Sequence, residues 1–401
     1  MQDRFVALAG RVAPLSGTSF ADGGVLVEAG RIAAIGDRAT ILAAASGAPI
    51  LVDAPEGVMT PGLVDAHTHS AWVGSRHDEY AIRLAGGDYE AIAKAGGGIV
   101  SSMRAIRAAS GEAIAATLRA RLRRMAAMGV TTVEVKSGYG LDEAGERKQL
   151  EAIAEVARDP SLPRVVATYL ALHALPPERR DDRAAYVDDV ASRWLPAIAE
   201  AGLAKFVDAY VDRGAFTVDE ARKVLSRARA LGLGVRLHAG QMSDVGAADL
   251  AAELAAASAD HLEHVADASL ARMARSDTAA VLLPVASYTL GQAPPPIAAM
   301  RREGVRMIVA SDANPGTAPT ESLPLAIALA ARSYGLSPNE ALAGATLHAA
   351  RSLELPADGL VAGAPADFVI WALPDERALI QPWGAPPITL VVVAGRTIAR
   401  G

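Results

Sequence analysis

Residues 58–69 read Val-Met-Thr-Pro-Gly-Leu-Val-Asp-Ala-His-Thr-His, and this stretch decides how the rest of the chain is interpreted. A short apolar segment punctuated by Pro61-Gly62 predicts a buried strand. Side chains at i and i+2 of a strand point to the same side, so His67 and His69 can bind one metal ion together. An isolated His-x-His pair more often serves packing or solvation, so the remainder of the chain has to decide between the two interpretations.

The composition predicts a soluble, globular, cytoplasmic protein. The chain has 401 residues, of which 51% are hydrophobic and 21% charged. The two kinds are mixed along the chain, so a sizeable core is available and disorder is not expected. No apolar run approaches the roughly 18 residues of a membrane span, and the N-terminus lacks the apolar core of a signal peptide. The net charge of -6, without a basic stripe, argues against nucleic acid and anionic membranes as partners.

The chain contains no cysteine. Disulfides, thiolate metal ligands and a cysteine nucleophile are therefore excluded, and any metal has to be held by histidine and carboxylate groups. Such ligands suit a hard or borderline ion, which means zinc or iron here, and the residues alone do not choose between the two.

The middle of the chain alternates between strand-like and Ala-rich helical segments. This alternation over residues 58–350 predicts βα units and a parallel sheet. The predicted strands are 63–67, 131–136, 165–172, 205–211, 234–238, 258–262, 279–285 and 306–311. Eight such strands predict an α/β fold of the closed (β/α)8 TIM-barrel type, which typically takes roughly 250 residues.

Both chain ends have a different pattern, with short strand-like pieces in residues 1–57 and again in residues 351–401. One of these pieces, residues 24–35, is interrupted by Ala29-Gly30 as in a hairpin. Because chain ends often lie close together, we expect the two parts to form one small, discontinuous β-sandwich domain beside the barrel.

Polar side chains cluster where the predicted barrel strands end, and in such barrels the C-terminal strand ends build the active site. The residues at these ends are His67, His69, Lys136, Tyr139, His173, His238, His261, His264, Asp312 and Asn314. Of these, His67, His69, His238 and Asp312 would supply three neutral nitrogens and one carboxylate to a catalytic divalent ion that keeps an open water position. Taken singly, His238 is ordinary and Asp312 could be a helix cap. Their placement in order on separate strands makes a shared site the better interpretation.

A water bound to such an ion ionises near neutral pH and would supply the attacking hydroxide. Asp312 can take the water proton, and His261 is placed to polarise the electrophilic carbonyl. His264 fits a structural, hydrogen-bonded histidine equally well.

The arginines at positions 119, 121, 123 and 124 form a local basic patch. Apolar residues recur beneath them at helical spacing, so we expect the arginines to be the solvated face of a helix.

These features together resemble the amidohydrolase superfamily, and within it the imidazolonepropionase family of histidine degradation. The segments that carry the resemblance are 74–80 (GSRHDEY), 95–99 (AGGGI), 129–141 (GVTTVEVKSGYGL), 173–177 (HALPP), 258–262 (SADHL) and 311–322 (SDANPGTAPTES). The resemblance runs over nearly the whole chain. It implies hydrolysis of the cyclic amide of 4-imidazolone-5-propanoate to N-formimidoyl-L-glutamate by a homodimer with one zinc or iron ion per subunit.

Carried over position by position, the resemblance implies the same four metal ligands and adds a set of substrate contacts. These are Arg76, Tyr139, His173, Gln241, Asn314, Gly316 and Thr317. A guanidinium can bind a propanoate with two parallel hydrogen bonds, as Arg76 would. Each contact also has a structural alternative: Arg76 could be a surface ion pair, Tyr139 a core aromatic and Gly316 a turn residue.

Residues 238–241 depart from the family pattern. Many similar chains have His-Ala-Asp-Glu here, whereas this chain has His-Ala-Gly-Gln. The amide of Gln241, counted with His261 and Asp312 among the catalytic positions, can hydrogen-bond the substrate ring but cannot carry a proton. Because Gly240 stands where the family pattern has an aspartate, a possible hydrogen-bond partner for the metal ligands is also missing.

Two alternatives remain open at this point. Another amidohydrolase, such as an aminoazine deaminase or a hydantoin-type ring opener, would share much of the pattern. Binuclear ring openers bridge two metals with a lysine at the end of the fourth strand, whereas Lys205 opens that strand here, which predicts a mononuclear site. A barrel that binds a metabolite without catalysis is the other alternative, and the intact ligand set argues against it.

Overall fold

The structure is a computed structural model that describes residues 3–86, 97–384 and 386–401. Ala95 and Gly96, which belong to the motif at 95–99, lie outside the described residues. Among the helices that are described, none combines the length and apolarity needed to cross a membrane.

The chain ends build one mixed sheet, which has seven strands among the described residues. Its strands are β1 (Arg4–Val12), β2 (Phe20–Glu28), β3 (Arg31–Asp37), β4 (Ile50–Pro61), β13 (Phe368–Trp371), β14 (Ile388–Val393) and β15 (Arg396–Arg400). The order is β15-β14-β13-β4-β1-β2-β3, with β1 and β4 parallel and the other neighbours antiparallel. Phe5, Val25, Phe368 and Leu390 belong to one buried cluster, so strands from both chain ends share a core. The division of the chain at residue 58 stays a prediction, because β4 runs through that position.

The middle of the chain forms the predicted barrel, whose sheet has eight parallel strands within the described residues. They are β5 (Leu63–Asp65), β6 (Val130–Lys136), β7 (Arg164–Leu172), β8 (Phe206–Val211), β9 (Gly234–Ala239), β10 (Ser258–His261), β11 (Ala279–Leu282) and β12 (Met307–Val309). They follow one another in sequence order from β5 to β12. All eight predicted strands are present.

The barrel closes between β12 and β5 through the residues that follow these strands. Asp312 N donates to His67 O at 3.1 Å, and His69 N donates to Ala313 O at 2.9 Å. The seam is reinforced where Ser311 Oγ donates to the buried carboxylate of Asp65 at 2.5 Å. The two predicted ligand segments are therefore joined directly by backbone hydrogen bonds.

Helices surround the barrel strands, and one further helix, Arg38–Ala45, packs against β2 and β3 of the mixed sheet. Those described are α1 (Arg38–Ala45), α2 (His77–Leu84), α3 (Ile99–Ala108), α4 (Gly111–Ala126), α5 (Glu143–Val156), α6 (Arg183–Asp189), α7 (Leu195–Glu200), α8 (Val218–Ala230), α9 (Ala247–Glu253), α10 (Asp267–Arg275), α11 (Pro284–Leu290), α12 (Ile297–Glu303), α13 (Leu323–Tyr334), α14 (Pro338–Gly344) and α15 (Leu347–Ser352). Short 3-10 turns span Pro177–Asp182 and Glu376–Ile380, and a π turn spans Val190–Trp194. Local sequence fixes many helix starts, as at α8, where Thr217 and Glu220 form a reciprocal capping box.

The predicted solvated face of α4 is wrong for one arginine. Arg121 is buried, its Nη1 donates to the carbonyls of Ser70 (3.1 Å) and Trp72 (2.7 Å), and its guanidinium lies 3.4 Å from the centre of the Trp72 ring. Stacking on an aromatic face and two carbonyl acceptors compensate for the lost hydration of the guanidinium. Arg121 thus supports the segment directly after His69.

Candidate metal centre and substrate pocket

Four potential ligand groups meet at the C-terminal ends of the barrel strands. His69 Nε2 lies 3.4 Å from His238 Nε2, and Asp312 Oδ1 lies 3.5 Å from the Nε2 atoms of both His67 and His69. A tetrahedral ion with bonds of about 2.1 Å holds its ligand atoms about 3.4 Å apart. The three histidines form a group that could hold one ion, and Asp312 lies at the required spacing from two of them, His67 and His69.

The protonation of these histidines also fits a metal ion. Burial, with nearby positive groups, holds the pKa of His67 and that of His69 well below the ordinary value, so both imidazoles are neutral. Neutral imidazole is the form that binds metals. In the part of the chain that the structure describes, His67 Nε2 is buried and has no hydrogen-bond partner. Such an orphaned nitrogen is explained if it is a ligand atom.

Two buried carboxylates orient the histidines from behind. Asp260 Oδ2 lies 2.6 Å from His67 Nδ1, and Asp208 Oδ2 lies 3.1 Å from His238 Nδ1. A carboxylate at Nδ1 fixes the tautomer and leaves Nε2 free for an ion. Sequence reasoning missed both roles, although Asp260 lies directly before His261 in a buried strand.

The backbone at two of the predicted catalytic residues is strained. His261 has a φ of +79° and Asp312 a φ of +54°, the left-handed region that non-glycine residues rarely adopt. Strain of this kind costs about 1–3 kcal/mol per residue and persists where surrounding contacts enforce it. The backbone hydrogen bonds across the barrel seam provide that enforcement at Asp312.

The His261 ring lies beside the candidate metal centre. Its centre is 5.6 Å from that of His238 and 6.0 Å from that of His67, and burial lowers its pKa well below the ordinary value. Its Nδ1 is 3.8 Å from Glu263 Oε2. His264, by contrast, is exposed and lines an open pocket of about 540 Å³ that none of the four ligands lines. His261 therefore lies beside the predicted ligands, whereas His264 does not.

Tyr139 and His173 form one wall of the site. His173 stacks on His69 with ring centres 5.3 Å apart, and the Tyr139 ring lies 5.4 Å from that of His173. His173 Nδ1 is 2.7 Å from Gly138 O, so this nitrogen donates and Nε2 is left as an acceptor. Burial, followed by the neighbouring His238, lowers the pKa of His173 to about 3, which keeps the ring neutral.

The loop that carries Tyr139 is wrapped around one carboxylate. Glu146 of α5 is buried and accepts backbone N–H groups from Gly138 (2.8 Å), Gly140 (2.7 Å) and Leu141 (2.8 Å). Burial raises the pKa of Glu146, while these hydrogen bonds act in the opposite direction. The sequence offered no role for Glu146.

Arg76 lies against the loop at Gly316. Its Nε and Nη2 donate to the carboxylate of Glu79 at 2.9 and 2.6 Å. A Cβ atom at position 316 would lie 2.5 Å from Arg76 Nη1, so a side chain there would displace the guanidinium from its present position. Arg76 therefore makes an ion pair, as its structural alternative predicted, but a largely buried one and not a surface one, and its Nη1 also faces a residue predicted to contact substrate.

Asn314 organises the same loop. Its Oδ1 accepts from the backbone N–H groups of Gly316 (2.8 Å) and Thr317 (2.7 Å), while its Nδ2 donates to Asp312 O (2.7 Å). These bonds tie the loop to the candidate ligand Asp312.

Residues 240 and 241, where the chain departs from the family pattern, have clear structural settings. Gly240 has a φ of +64°, and a Cβ atom there would lie 2.8 Å from the carbonyl oxygen of His264. An aspartate at this position would be strained in this backbone, and the carboxylates behind the ligands come from other strands. Gln241 is buried, and its backbone oxygen accepts from Gln292 Nε2 at 2.6 Å.

Lys205 lies far from the candidate ligands, as predicted. Its Nζ donates to Leu353 O at 2.7 Å, at the N-terminal end of the barrel strands. It cannot bridge two metals there, which agrees with a mononuclear centre.

The chain matches known proteins over most of its length. A family model described as the amidohydrolase family matches residues 58–398. The imidazolonepropionase of Cupriavidus taiwanensis is 45% identical over 381 residues, which cover 94% of this chain and 91% of the relative. The imidazolonepropionase of Acidiphilium cryptum is 53% identical over 279 residues, which cover 69% of each chain.

Solved structures share the fold at low sequence identity. An adenosine deaminase from Xanthomonas campestris with bound zinc has a TM-score of 0.70 at 19% identity, covering 98% of this chain and 92% of its own. An N-isopropylammelide isopropylaminohydrolase from Burkholderia multivorans has a TM-score of 0.72 at 23% identity, covering 99% and 98%. These matches support the barrel fold with its additional sheet.

Proposed function

The chain belongs to the amidohydrolase family and, within it, to the imidazolonepropionases, which are metal-dependent hydrolases of histidine degradation, and from this membership we propose a reaction and a role for each site residue. The reaction is hydrolysis of the cyclic amide of 4-imidazolone-5-propanoate to N-formimidoyl-L-glutamate. The observation that carries the proposal is the convergence of the Nε2 atoms of His67, His69 and His238 with Asp312 Oδ1, beside the wall formed by Tyr139 and His173.

The proposed cofactor is one zinc or iron ion held by His67, His69, His238 and Asp312. Three imidazole nitrogens and one carboxylate suit either ion. When bound, such an ion acts as a Lewis acid and lowers the pKa of a coordinated water to about 7.

The substrate is held by the pocket wall. The Nη1 edge of Arg76 binds the propanoate, assisted by the backbone near Gly316 and by Thr317. His173 Nε2 accepts a hydrogen bond from a ring N–H, because its Nδ1 already donates to Gly138 O. The Tyr139 hydroxyl donates to the substrate, since burial raises the pKa of that phenol and keeps it protonated. The amide of Gln241 orients the ring.

Proton transfer is assigned to Asp312 and charge stabilisation to His261. Asp312 takes a proton from the attacking water at its carboxylate and passes it to the ring nitrogen as the C–N bond of the cyclic amide breaks. The water oxygen stays on the former carbonyl carbon, which becomes a carboxylate of the product. His261 stabilises the charge that develops on the carbonyl oxygen. Gln241 takes no part in proton transfer, because an amide has no titratable proton.

The test is incubation of the purified protein with freshly made 4-imidazolone-5-propanoate. We expect its ultraviolet absorbance to be lost and N-formimidoyl-L-glutamate to appear without ammonia. Release of ammonia from the substrate would favour a deaminase, and no turnover at all would contradict the proposed reaction. The role of His261 is tested with the variant His261→Ala. Its matched control is His264→Ala, because His264 lies three residues further on and is exposed.

We also infer a homodimer in the cytoplasm, on the resemblance alone. The proposed domains are residues 1–57 with 351–401, and residues 58–350. Light scattering during size-exclusion chromatography measures the mass, and a monomer of 41.3 kDa would contradict the dimer.

A further inference from the structure

The ammonium group of Lys136 is buried below the candidate metal centre. The side chain is fully inaccessible at the end of β6. Its Nζ lies 2.8 Å from Asp208 Oδ2, 2.9 Å from Glu134 Oε1 and 3.9 Å from Asp260 Oδ2. A buried lysine is costly unless it is paired, and here three carboxylates surround it.

Two of these carboxylates lead directly to candidate metal ligands. Asp260 Oδ2 is also 2.6 Å from His67 Nδ1, and Asp208 Oδ2 is 3.1 Å from His238 Nδ1. The same oxygen of each aspartate therefore faces both a histidine and the ammonium. Lys136 is one carboxylate away from two ligands on different strands.

The third carboxylate leads to the segment between His67 and His69. Glu134 Oε2 accepts a hydrogen bond from Thr68 N at 3.1 Å. The backbone of Lys136 takes part as well, because its N–H donates to Thr68 O at 2.9 Å. Lys136 is thus connected to the rings of His67 and His238 and to the backbone directly before His69, and none of the proposed proton transfers uses this lysine.

We propose that Lys136 is a positioning residue for the metal centre: its ammonium group holds Glu134, Asp208 and Asp260 in place, the two aspartates set the orientation of His67 and His238, and Glu134 fixes the backbone between His67 and His69. The inference rests on the proposed ligand set. It assigns a role to a residue that touches neither the substrate nor the metal.

Without the ammonium, the three carboxylates would repel one another in a buried space. The charge of Arg236 also acts on Asp260, but its Nη2 donates to Ala66 O at 2.9 Å and its Nη1 to Ser352 O at 3.2 Å, so it does not replace the ion pairs of Lys136 with Glu134 and Asp208. The carboxylates would move apart or take up protons. Either change removes the fixed acceptor at the histidine Nδ1 atoms.

A positioning role and a purely electrostatic role of Lys136 predict opposite changes in metal affinity when the lysine is replaced. A positive charge near a metal site disfavours a divalent ion by Coulomb repulsion, so its removal alone would strengthen metal binding. Loss of ligand orientation weakens metal binding, typically by about 10- to 100-fold when an outer partner of a ligand is changed.

The experiment compares Lys136→Met with the wild type and with Lys205→Met, which removes a lysine at the other end of the barrel. Affinity for Zn²⁺ is measured by competition with a chromophoric chelator, and the Co²⁺ form is examined by visible absorption. For Lys136→Met we expect about 10- to 100-fold weaker Zn²⁺ binding and a changed Co²⁺ spectrum. Lys205→Met is expected to match the wild type in both.

Unchanged or tighter Zn²⁺ binding by folded Lys136→Met would overturn the inference. If Lys136→Met is insoluble, Asp208→Asn, which keeps the size of the side chain, tests the one link between Lys136 and His238: it should weaken Zn²⁺ binding, and wild-type affinity would overturn the inference. The double variant should lose less than the sum of the two single losses, because both changes act on His238. A wild-type protein that binds no metal would instead refute the proposed ligand set.

Discussion

Replacing Glu146 tests what holds the wall formed by Tyr139 and His173 in position. This buried carboxylate accepts three backbone N–H groups from the loop that carries Tyr139. Glu146→Ala removes the acceptor and leaves Gly138, Gly140 and Leu141 with unpaired donors. Gly138 O is also the acceptor for His173 Nδ1, at 2.7 Å, so the disturbance reaches a second substrate residue.

The expected change in the free energy of unfolding follows from the number of hydrogen bonds that Glu146 accepts. A hydrogen bond to a charged group contributes about 1.5–3 kcal/mol, so three contribute at least about 4.5 kcal/mol. Burial of the carboxylate, which raises the pKa of Glu146, offsets part of this. We expect Glu146→Ala to lower the free energy of unfolding by about 3 kcal/mol. Glu146→Gln keeps one carbonyl oxygen as an acceptor, so about half of that loss is expected.

The assay combines urea denaturation with steady-state kinetics and metal analysis. We expect KM of Glu146→Ala to rise about tenfold, equivalent to about 1.4 kcal/mol of substrate binding, with metal content unchanged. Glu151→Ala is the matched control on the same helix, because Glu151 is exposed and forms an exposed ion pair with Arg147. Stability and KM of Glu146→Ala equal to those of the control would refute the reasoning.

Three further outcomes are expected. Arg76→Lys should raise KM with little change in kcat, since an ammonium lacks the planar edges with which a guanidinium can bind Glu79 and the substrate carboxylate together. A KM equal to that of the wild type would contradict the assignment of Arg76 to the substrate pocket. In His261→Ala, kcat should fall by about 10²- to 10⁴-fold, while Gln241→Glu should keep substantial activity. If Gln241→Ala were inactive and His261→Ala had nearly normal kcat, the roles assigned to the two residues would be reversed. Gly240→Ala should lower the free energy of unfolding by more than the about 1–2 kcal/mol that a left-handed backbone costs a non-glycine residue, because its Cβ would lie 2.8 Å from His264 O. Gly214→Ala, which has a positive φ but open space around it, should show only the smaller loss, and equal losses of the two variants in denaturation would rule out the contact with His264.

Local patterns were sufficient to predict the barrel. Apolar runs of strand length between helical segments predicted all eight strands. The first was predicted over 63–67 but ends at Asp65, so His67 and His69 follow it instead of lying on it. Strand ends were less predictable. The strand predicted over 279–285 ends at Leu282, because Pro284 begins α11 and cannot donate a sheet hydrogen bond.

The partners of the site residues were beyond the reach of local patterns. His67 and Asp260 are 193 residues apart in sequence, and their contact depends on the relative register of strands that are not neighbours. The same holds for Lys136 and Asp208, whose strands lie on either side of β7. Arg121 shows the other limit: helical spacing predicts which side chains face outward, but not that Trp72 and two carbonyl groups offer a guanidinium a buried place.

The most direct test of the central claim is turnover of 4-imidazolone-5-propanoate by the wild-type protein after exhaustive chelation, followed by titration with Zn²⁺ or Fe²⁺ while metal content is measured. A centre built from His67, His69, His238 and Asp312 predicts that activity disappears with the metal and returns in full with one ion per chain. Wild-type turnover with no detectable metal would contradict it.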